Sequence, residues 1–379
     1  GATFYELLTH QLPFDTHDAL ELIHCHIAKQ PVPPHQINPG IPQAVSDIVM
    51  KLLAKTAEER YQSAWGLKAD LQECLTQLQN KGKITEFPLG RQDISDKFQI
   101  PQKLYGREQE IETLLTAFER VSLGSTEMML IAGYSGIGKS ALVQELYKPI
   151  TQLRGYFISG KFDQFQRNIP YSGFASAFSG LIRQLLTESE AQLARWREKL
   201  LAALGLNGQV IIDVIPEVEL IIGPQLPVAE LGVTESQNRF NFVFQNFIRV
   251  FCQPEHPLAI FLDDLQWSGG ATLKLIELMM TDEQMQYLFL IGAYRDNEVN
   301  PTHPLMMTLE ALRTEETIIN QINLAPLNIE QITDLIAETL HHDTTSVKPL
   351  AELGVRKTQG NPFFINQFLK TLYQENLLW

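Results

Sequence analysis

Residues 130–146 read LIAGYSGIGKSALVQEL. An apolar run passes through a glycine-rich turn into a stretch with helical spacing, and this strand–turn–helix unit sets the grammar of the C-terminal two thirds of the chain. From residue 104 onward, strands alternate with helices, the pattern of a parallel sheet covered on both faces. The strand candidates are EMMLIAG, RGYFISG, PLAIFLDD and YLFLIGAY, and SALVQELYKPI, GFASAFSGLIRQLL and ESQNRFNFVFQNFIRVF are the helical stretches between them. After about residue 325 the pattern is helical throughout, from NIEQITDLIAETL to PFFINQFLKTLYQENLL. The expected fold class is therefore α/β, a parallel sheet with flanking helices and a C-terminal helical subdomain.

The turn fits G-x-x-x-x-G-K-[ST] through Gly133, Gly138, Lys139 and Ser140, in the strand-to-helix context that gives this pattern its chemistry. Glycines let successive amide hydrogens converge on one anion, and the helix beginning near Ser140 adds the positive end of its dipole. Gly133, Gly136, Gly138, Lys139, Ser140 and Ala141 are the expected phosphate contacts. Lys139 would reach the β and γ phosphates of ATP, and Ser140 would place its hydroxyl on Mg²⁺. The bland alternative is a helix-capping loop without a ligand.

A phosphate loop needs carboxylates at a neighbouring strand end, because Mg²⁺ takes oxygen ligands and an attacking water needs an acceptor. PLAIFLDDLQW supplies two: Asp263 as a metal ligand, and Asp264 to orient or deprotonate the water. Arg295 follows the apolar run YLFLIGAY, at the sheet edge where ligands bind, and could stabilise charge on the γ phosphate. A surface turn and a nonspecific ion pair are the alternatives for these residues.

Upstream, residues 1–79 read as helices separated by proline-rich turns. DALELIHCHIAK, QAVSDIVMKLLAK and SAWGLKADLQECLTQLQ carry helical spacing, whereas QPVPPHQINPGIP is expected to exclude helix. Residues 80–103 are polar and lack a period, as in a linker or a surface strap. The opening GATFYELL reads as the middle of a helix, which suggests a piece of a longer protein.

The net charge is −14, of which residues 1–103 hold only −2, so most of the chain would repel a nucleic-acid backbone. Cys25, Cys74 and Cys252 lie far apart and show no metal-ligand spacing, which fits a reducing, cytoplasmic setting. His24 and His26 point to different sides of a helix and read as packing or solvated residues. No apolar run approaches the ~18 residues of a membrane span, and no signal segment opens the chain.

Together these motifs resemble the STAND class of signal-transduction ATPases, relatives of the AAA+ proteins, over most of residues 104–379. The resemblance assigns KLYGREQEIETLL, with Gly106, Arg107 and Glu108, to the neighbourhood of the adenine, and TQGNPFFINQFL to a lid whose proline, Pro362, touches the base. Relatives carry an acidic residue after the tryptophan of DDLQW, whereas Ser268, Gly269 and Gly270 follow Trp267 here. Residues 1–79 resemble the end of a protein-kinase C-lobe, with Arg60 in its closing helices but without the kinase catalytic residues. The implied organisation is a C-lobe remnant at 1–79, a linker at 80–103, a P-loop NTPase core at 104–324 and a truncated lid at 325–379. Such a combination resembles large bacterial serine/threonine and histidine kinases.

The function so implied is an ATP-binding, slowly hydrolysing regulatory module. Its partners would be ATP or ADP and other domains of the same signalling protein, with oligomerisation left open. A nucleotide-dependent scaffold without hydrolysis is the alternative. No LSGGQ-like segment precedes FLDD and no Asn-Lys-x-Asp base reader is present, which argues against transporter ATPases and GTPases. The VIIDVIPEVELIIG run within residues 205–235 reads as core.

Overall fold

The computed structural model describes residues 1–16, 22, 25–26, 29–56, 59–93, 98–166, 169–315 and 317–378. The chain divides into two compact units. One comprises Gly1–Lys103, Thr333–Lys348 and Asn376–Trp379, and the other Leu104–Ile332 and Pro349–Glu375.

The larger unit is built on a parallel sheet with strand order β2-β3-β4-β1-β5: β1 Thr126–Ala132, β2 Tyr156–Lys161, β3 Leu258–Asp263, β4 Leu288–Tyr294 and β5 Ile319–Asn323. Strands β1, β3 and β4 carry the apolar runs Met128–Ala132, Leu258–Leu262 and Leu288–Tyr294 because helices cover both faces. Alternate residues feed separate cores. Met128 and Leu130 join Leu258, Ile260, Leu288 and Leu290 on one face, while Met129 and Ile131 join Ala259, Phe261, Phe289 and Ile291 on the other. The first face is filled by aromatic side chains from helices Ser172–Leu185 and Val233–Phe251, with Phe178 against Phe244, Phe247 and Phe251. The second is covered by helix Glu108–Ser122 through Leu114, Phe118 and Val121. Val210, Ile211, Ile215, Val218 and Ile221 of the 205–235 segment are buried in the first core, on short helical turns.

Three local expectations need correction. The fifth strand, β5, escapes an apolar-pattern search because its residues are mostly polar. Asn320 there donates to the fully buried Glu127 at 2.8 Å, and Glu127 is also held by two bonds of 2.7 Å from Arg120. The stretch after the glycine turn is two helices, Lys139–Gln144 and Tyr147–Gln152, rather than one. Pro149 explains the break, since it has no N–H for the Glu145 carbonyl and its ring would crowd that carbonyl in a continuous helix. The proline-rich segment does contain one helical turn, Pro34–Ile37, with Pro34 at the first position, where a missing N–H costs nothing.

In the smaller unit, helices Gln43–Leu52 and Ala64–Lys81 enclose a small core of Ala44, Ile48 and Cys74, joined by Ile84, Phe87 and Leu89 of the polar strap. Asp93 fastens the strap by accepting from the backbone of Gln62 and Ser63 at 2.8 and 2.9 Å. Arg60 is exposed, with Nε on the Ala54 carbonyl at 2.8 Å, so it carries no burial cost. The expected helix at 18–29, including His24, falls largely outside the described residues, while the His26 ring meets Phe14 edge-on at 5.3 Å. The three cysteines are free and buried. Among the described residues no helix is long and apolar enough to cross a membrane.

Candidate functional site

The register of the sheet decides where the chemistry lies. Ala132 pairs with Tyr294, and Lys161 with Asp263, so β1, β2, β3 and β4 end along one edge. Gly133, Lys161, Asp263 and Arg295 stand at or just beyond those ends, where open parallel sheets bind ligands.

The turn after β1 has backbone angles that side chains resist, with φ of 151°, 77° and 104° at Gly133, Gly136 and Gly138. At Gly136 space is limiting as well, since an added Cβ would lie 2.8 Å from Cβ of Phe363 and 3.0 Å from Oδ1 of Asn361. Lys139 opens the following helix. Its side chain is buried, and Nζ donates to the carbonyls of Gly133 at 2.6 Å and Tyr134 at 3.0 Å. Burial pulls its pKa below the ordinary lysine range, and the charges of Asp263 and Asp264 only partly offset this. The ammonium is thus held by neutral carbonyls, which it would exchange for anionic oxygens of a phosphate. Ser140 and Ala141 follow on the same helix, with Ser140 exposed.

Ser140, Lys161 and Asp263 line one cleft of about 330 Å³. A hydroxyl and a carboxylate facing one cavity are oxygen donors of the kind Mg²⁺ takes, so these residues fit a metal–phosphate ligand. Asp263 is partly exposed, and its Oδ1 also receives the Asp264 N–H at 2.9 Å.

Asp264 is buried and sits in the left-handed region, at φ 56° and ψ 45°, which aspartate tolerates better than most residues. Its Oδ2 pairs with Lys161 Nζ at 3.0 Å. Oδ1 accepts from Gln266 at 2.9 Å and from Arg295 Nε at 3.1 Å. Burial alone would raise its pKa, but the hydrogen bonds from Gln266 and Lys161 and the charges of Lys161 and Arg295 outweigh this and hold the carboxyl below its usual range. In this arrangement Asp264 is a good hydrogen-bond acceptor and a poor proton acceptor.

Arg295 binds Glu298 through Nη1 at 2.7 Å, and its guanidinium carbon lies 4.7 Å from the centroid of the Trp267 ring. Lys161, Gln266 and Glu298 were not expected from the sequence. Gln266 had one signal, a polar residue inside the segment that follows a buried strand, and Glu298 another, an acid three positions after Arg295. Lys161 had none without the pairing of β2 with β3. Ser268, which stands where relatives carry the acid, turns back onto the Leu265 carbonyl at 2.8 Å.

Arg107 of KLYGREQEIETLL and Gly360, just before the last helix, meet at the segment leaving β5. Arg107 is buried, bonds to the Ala325 carbonyl and pairs with Glu110 at 3.4 Å. The backbone at Gly106 passes so close to Gln331 that an added Cβ would lie 1.8 Å from its Nε2. Leu327 N–H donates to the Gly360 carbonyl at 2.8 Å. Asn361 then caps helix Pro362–Gln374 by accepting from Phe363 N–H at 3.1 Å. Its Nδ2 donates to the Ser135 carbonyl at 2.9 Å, and Phe363 N–H also reaches the Gly136 carbonyl at 3.2 Å. The start of this helix is therefore seated directly on the glycine turn, with Pro362 at its first position. A second cleft, of about 410 Å³, is lined by Tyr134, Ser135, Arg295, Glu298, Asn361 and Phe364.

Residues 103–291 match the family model described as AAA ATPase domain. The whole chain aligns at 33% identity with hybrid signal transduction histidine kinase G of Dictyostelium discoideum, of which it covers 13%. Over 71 residues, 19% of this chain and 11% of the relative, it is 38% identical to serine/threonine-protein kinase PknB of Mycobacterium leprae. A solved STAND protein with a tetratricopeptide repeat sensor from Pyrococcus horikoshii aligns with 71% of this chain and 30% of its own, at 14% identity and a TM-score of 0.37. The chain thus spans only a small part of the curated relatives it matches.

Proposed function

We propose that residues 103–291, which match the family model described as AAA ATPase domain, make this chain a STAND-type, ATP-driven regulatory switch inside a larger signalling kinase. Residues 1–79 are then the end of a serine/threonine-kinase C-lobe that lacks its catalytic residues, 80–103 a linker, 104–324 the NTPase core and 325–379 the lid. The observation that carries the reading is the seating of Asn361 and Phe363 on the turn that would wrap the phosphates. A nucleotide entering that turn bears on the helix that covers it.

Lys139 leaves its two carbonyls for the β and γ phosphates, and the amides of Gly136, Gly138, Lys139, Ser140 and Ala141 supply the rest of the cradle, with the Gly133 N–H held on the Tyr294 carbonyl at 3.3 Å. Ser140 and Asp263 would hold Mg²⁺, which would neutralise charge on the phosphate oxygens. Asp264 orients the water through its acceptor oxygens, and because both are already engaged by Lys161, Gln266 and Arg295, turnover is slow. Arg295 senses the third phosphate. Gly106, Arg107 and Pro362 flank the base, so base and phosphates together fix the angle of the lid. Other domains of the same protein read that angle.

The test is binding of labelled ATP and GTP to the full chain, with and without Mg²⁺, alongside Lys139→Ala. Mg²⁺-dependent ATP binding that this substitution removes is expected. Equal binding by both proteins would sink the reading. A second reading, a nucleotide-dependent scaffold without hydrolysis, is favoured by the double engagement of Asp264 with Lys161 and Arg295. Release of phosphate at a rate that falls with Asp264→Asn decides against it.

A further inference from the structure

Four charges stand in a row beside the glycine turn. Lys161 pairs with Asp264 at 3.0 Å, Asp264 with Arg295 at 3.1 Å, and Arg295 with Glu298 at 2.7 Å. Glu298 does more than end the row. Its Oε2 accepts from Trp267 Nε1 at 3.1 Å and lies 3.4 Å from Gln266 Nε2, so one carboxylate holds the guanidinium and also the indole beneath it. The short turn Asp296–Glu298 ties it to Arg295 at fixed spacing. Both side chains open onto the cleft of about 410 Å³ that Ser135 of the glycine turn and Asn361 of the lid also line.

We propose that Glu298 is a positioning residue that holds Arg295 away from a third phosphate, and so sets how strongly the switch prefers ATP over ADP. This rests on the nucleotide-binding reading above. A guanidinium already paired with two carboxylates gains little from another anion unless one partner lets go. Glu298 opposes a triphosphate twice, by retaining Arg295 and by repelling negative charge across the same cleft. A diphosphate is one phosphoryl group shorter and makes neither demand. With Glu298 charged, ADP is therefore the less penalised ligand, and Trp267, pinned by both partners, changes surroundings when Arg295 moves.

The experiment uses the full chain and Glu298→Gln, which keeps a hydrogen-bond acceptor for Trp267 and removes only the charge. Affinities for ADP and for a non-hydrolysable ATP analogue are measured with Mg²⁺, together with tryptophan fluorescence and a Trp267→Phe control. The analogue-to-ADP affinity ratio is expected to rise about 2- to 5-fold, the range of a partly exposed ion pair, with ADP affinity nearly unchanged. The fluorescence change should reach its midpoint at a lower analogue concentration and vanish in Trp267→Phe. An unchanged or lower ratio, or equal weakening toward both nucleotides as a purely structural role would give, overturns the proposal. If the unmodified chain binds neither nucleotide, the nucleotide reading itself fails and takes this one with it. If it binds both and only the ratio stands still, this inference alone falls.

Discussion

One wall of the proposed site, Gly133–Ser140, is a continuous turn that would meet an anion with backbone amides and a single charged side chain. The other wall is assembled from the ends of β2, β3 and β4 and works through side-chain charges drawn from residues 161 to 298. The backbone wall has one shape and little redundancy, so a single change there should be decisive. The charge wall is a network in which each group has two or more partners, and removing one leaves the others to rearrange. Substitutions on the two walls should therefore fail differently: binding is lost on the first, while chemistry and selectivity shift on the second.

The largest effect is expected for Lys139→Ala, which removes the only ammonium within the turn. Loss of one partner from a buried charge-assisted contact costs ~2–5 kcal/mol, so ATP affinity should fall on the order of 1000-fold. A titration with fluorescent ATP measures this, and a loss under tenfold would mean that the amides alone hold the ligand. The same wall has a pH signature. Burial lowers the Lys139 pKa, and the protonated form is the one that binds phosphate, so affinity should decline with rising pH before the ordinary lysine range near ~10.4 is reached. Lys139→Arg, which stays charged throughout, should shift that decline upward.

Next in size is Asp264→Asn on the charge wall. The amide keeps the shape but loses the charge that faces Lys161 and Arg295. Phosphate release should drop about 100-fold, the order expected when a reacting group loses its positioning, while ATP affinity stays within about threefold. Parallel loss of binding and turnover would show that the two walls are not separable.

The same contrast explains what the sequence discloses. The turn is legible because its chemistry is local, and its spacing is its geometry. Asp263, Asp264 and Arg295 are legible because each follows an apolar strand, and parallel strands end together. Lys161 is not, since its value arises only from the register that sets β2 beside Asp263. Strand β5 stays hidden for a related reason: Asn320 is polar to serve Glu127, a partner 193 positions away. The helix break at Pro149 was readable from the proline alone, but the apolar period masked it.

A smaller effect is expected where the lid rests on the backbone wall. Gly136→Ala must hold alanine at φ 77° and pushes its Cβ to within 2.8 Å of Phe363. The left-handed conformation costs ~1–2 kcal/mol, and relief of the contact moves the lid or the turn. Denaturant unfolding should show a loss of this order, with ATP affinity down about tenfold. Unchanged affinity would mean that the seat of the lid is not part of the binding geometry.

The smallest effect separates the lid from the turn without disturbing either wall. Asn361→Ala removes a helix cap and the bond from Nδ2 to the Ser135 carbonyl, each worth ~1 kcal/mol. The Phe363 N–H keeps its bond to Gly136, so the helix stays tethered at one point. Global stability should change little, because the cores on the sheet faces are untouched. Hydrogen exchange should instead quicken in the first turn of Pro362–Gln374, since opening there is local, and ATP should weaken only a few-fold. If exchange quickens equally in the free and the ATP-bound chain, the nucleotide does not grip the lid through this contact. If ATP restores slow exchange, the turn and the lid are coupled through the ligand itself, which is what a switch built on this seat requires.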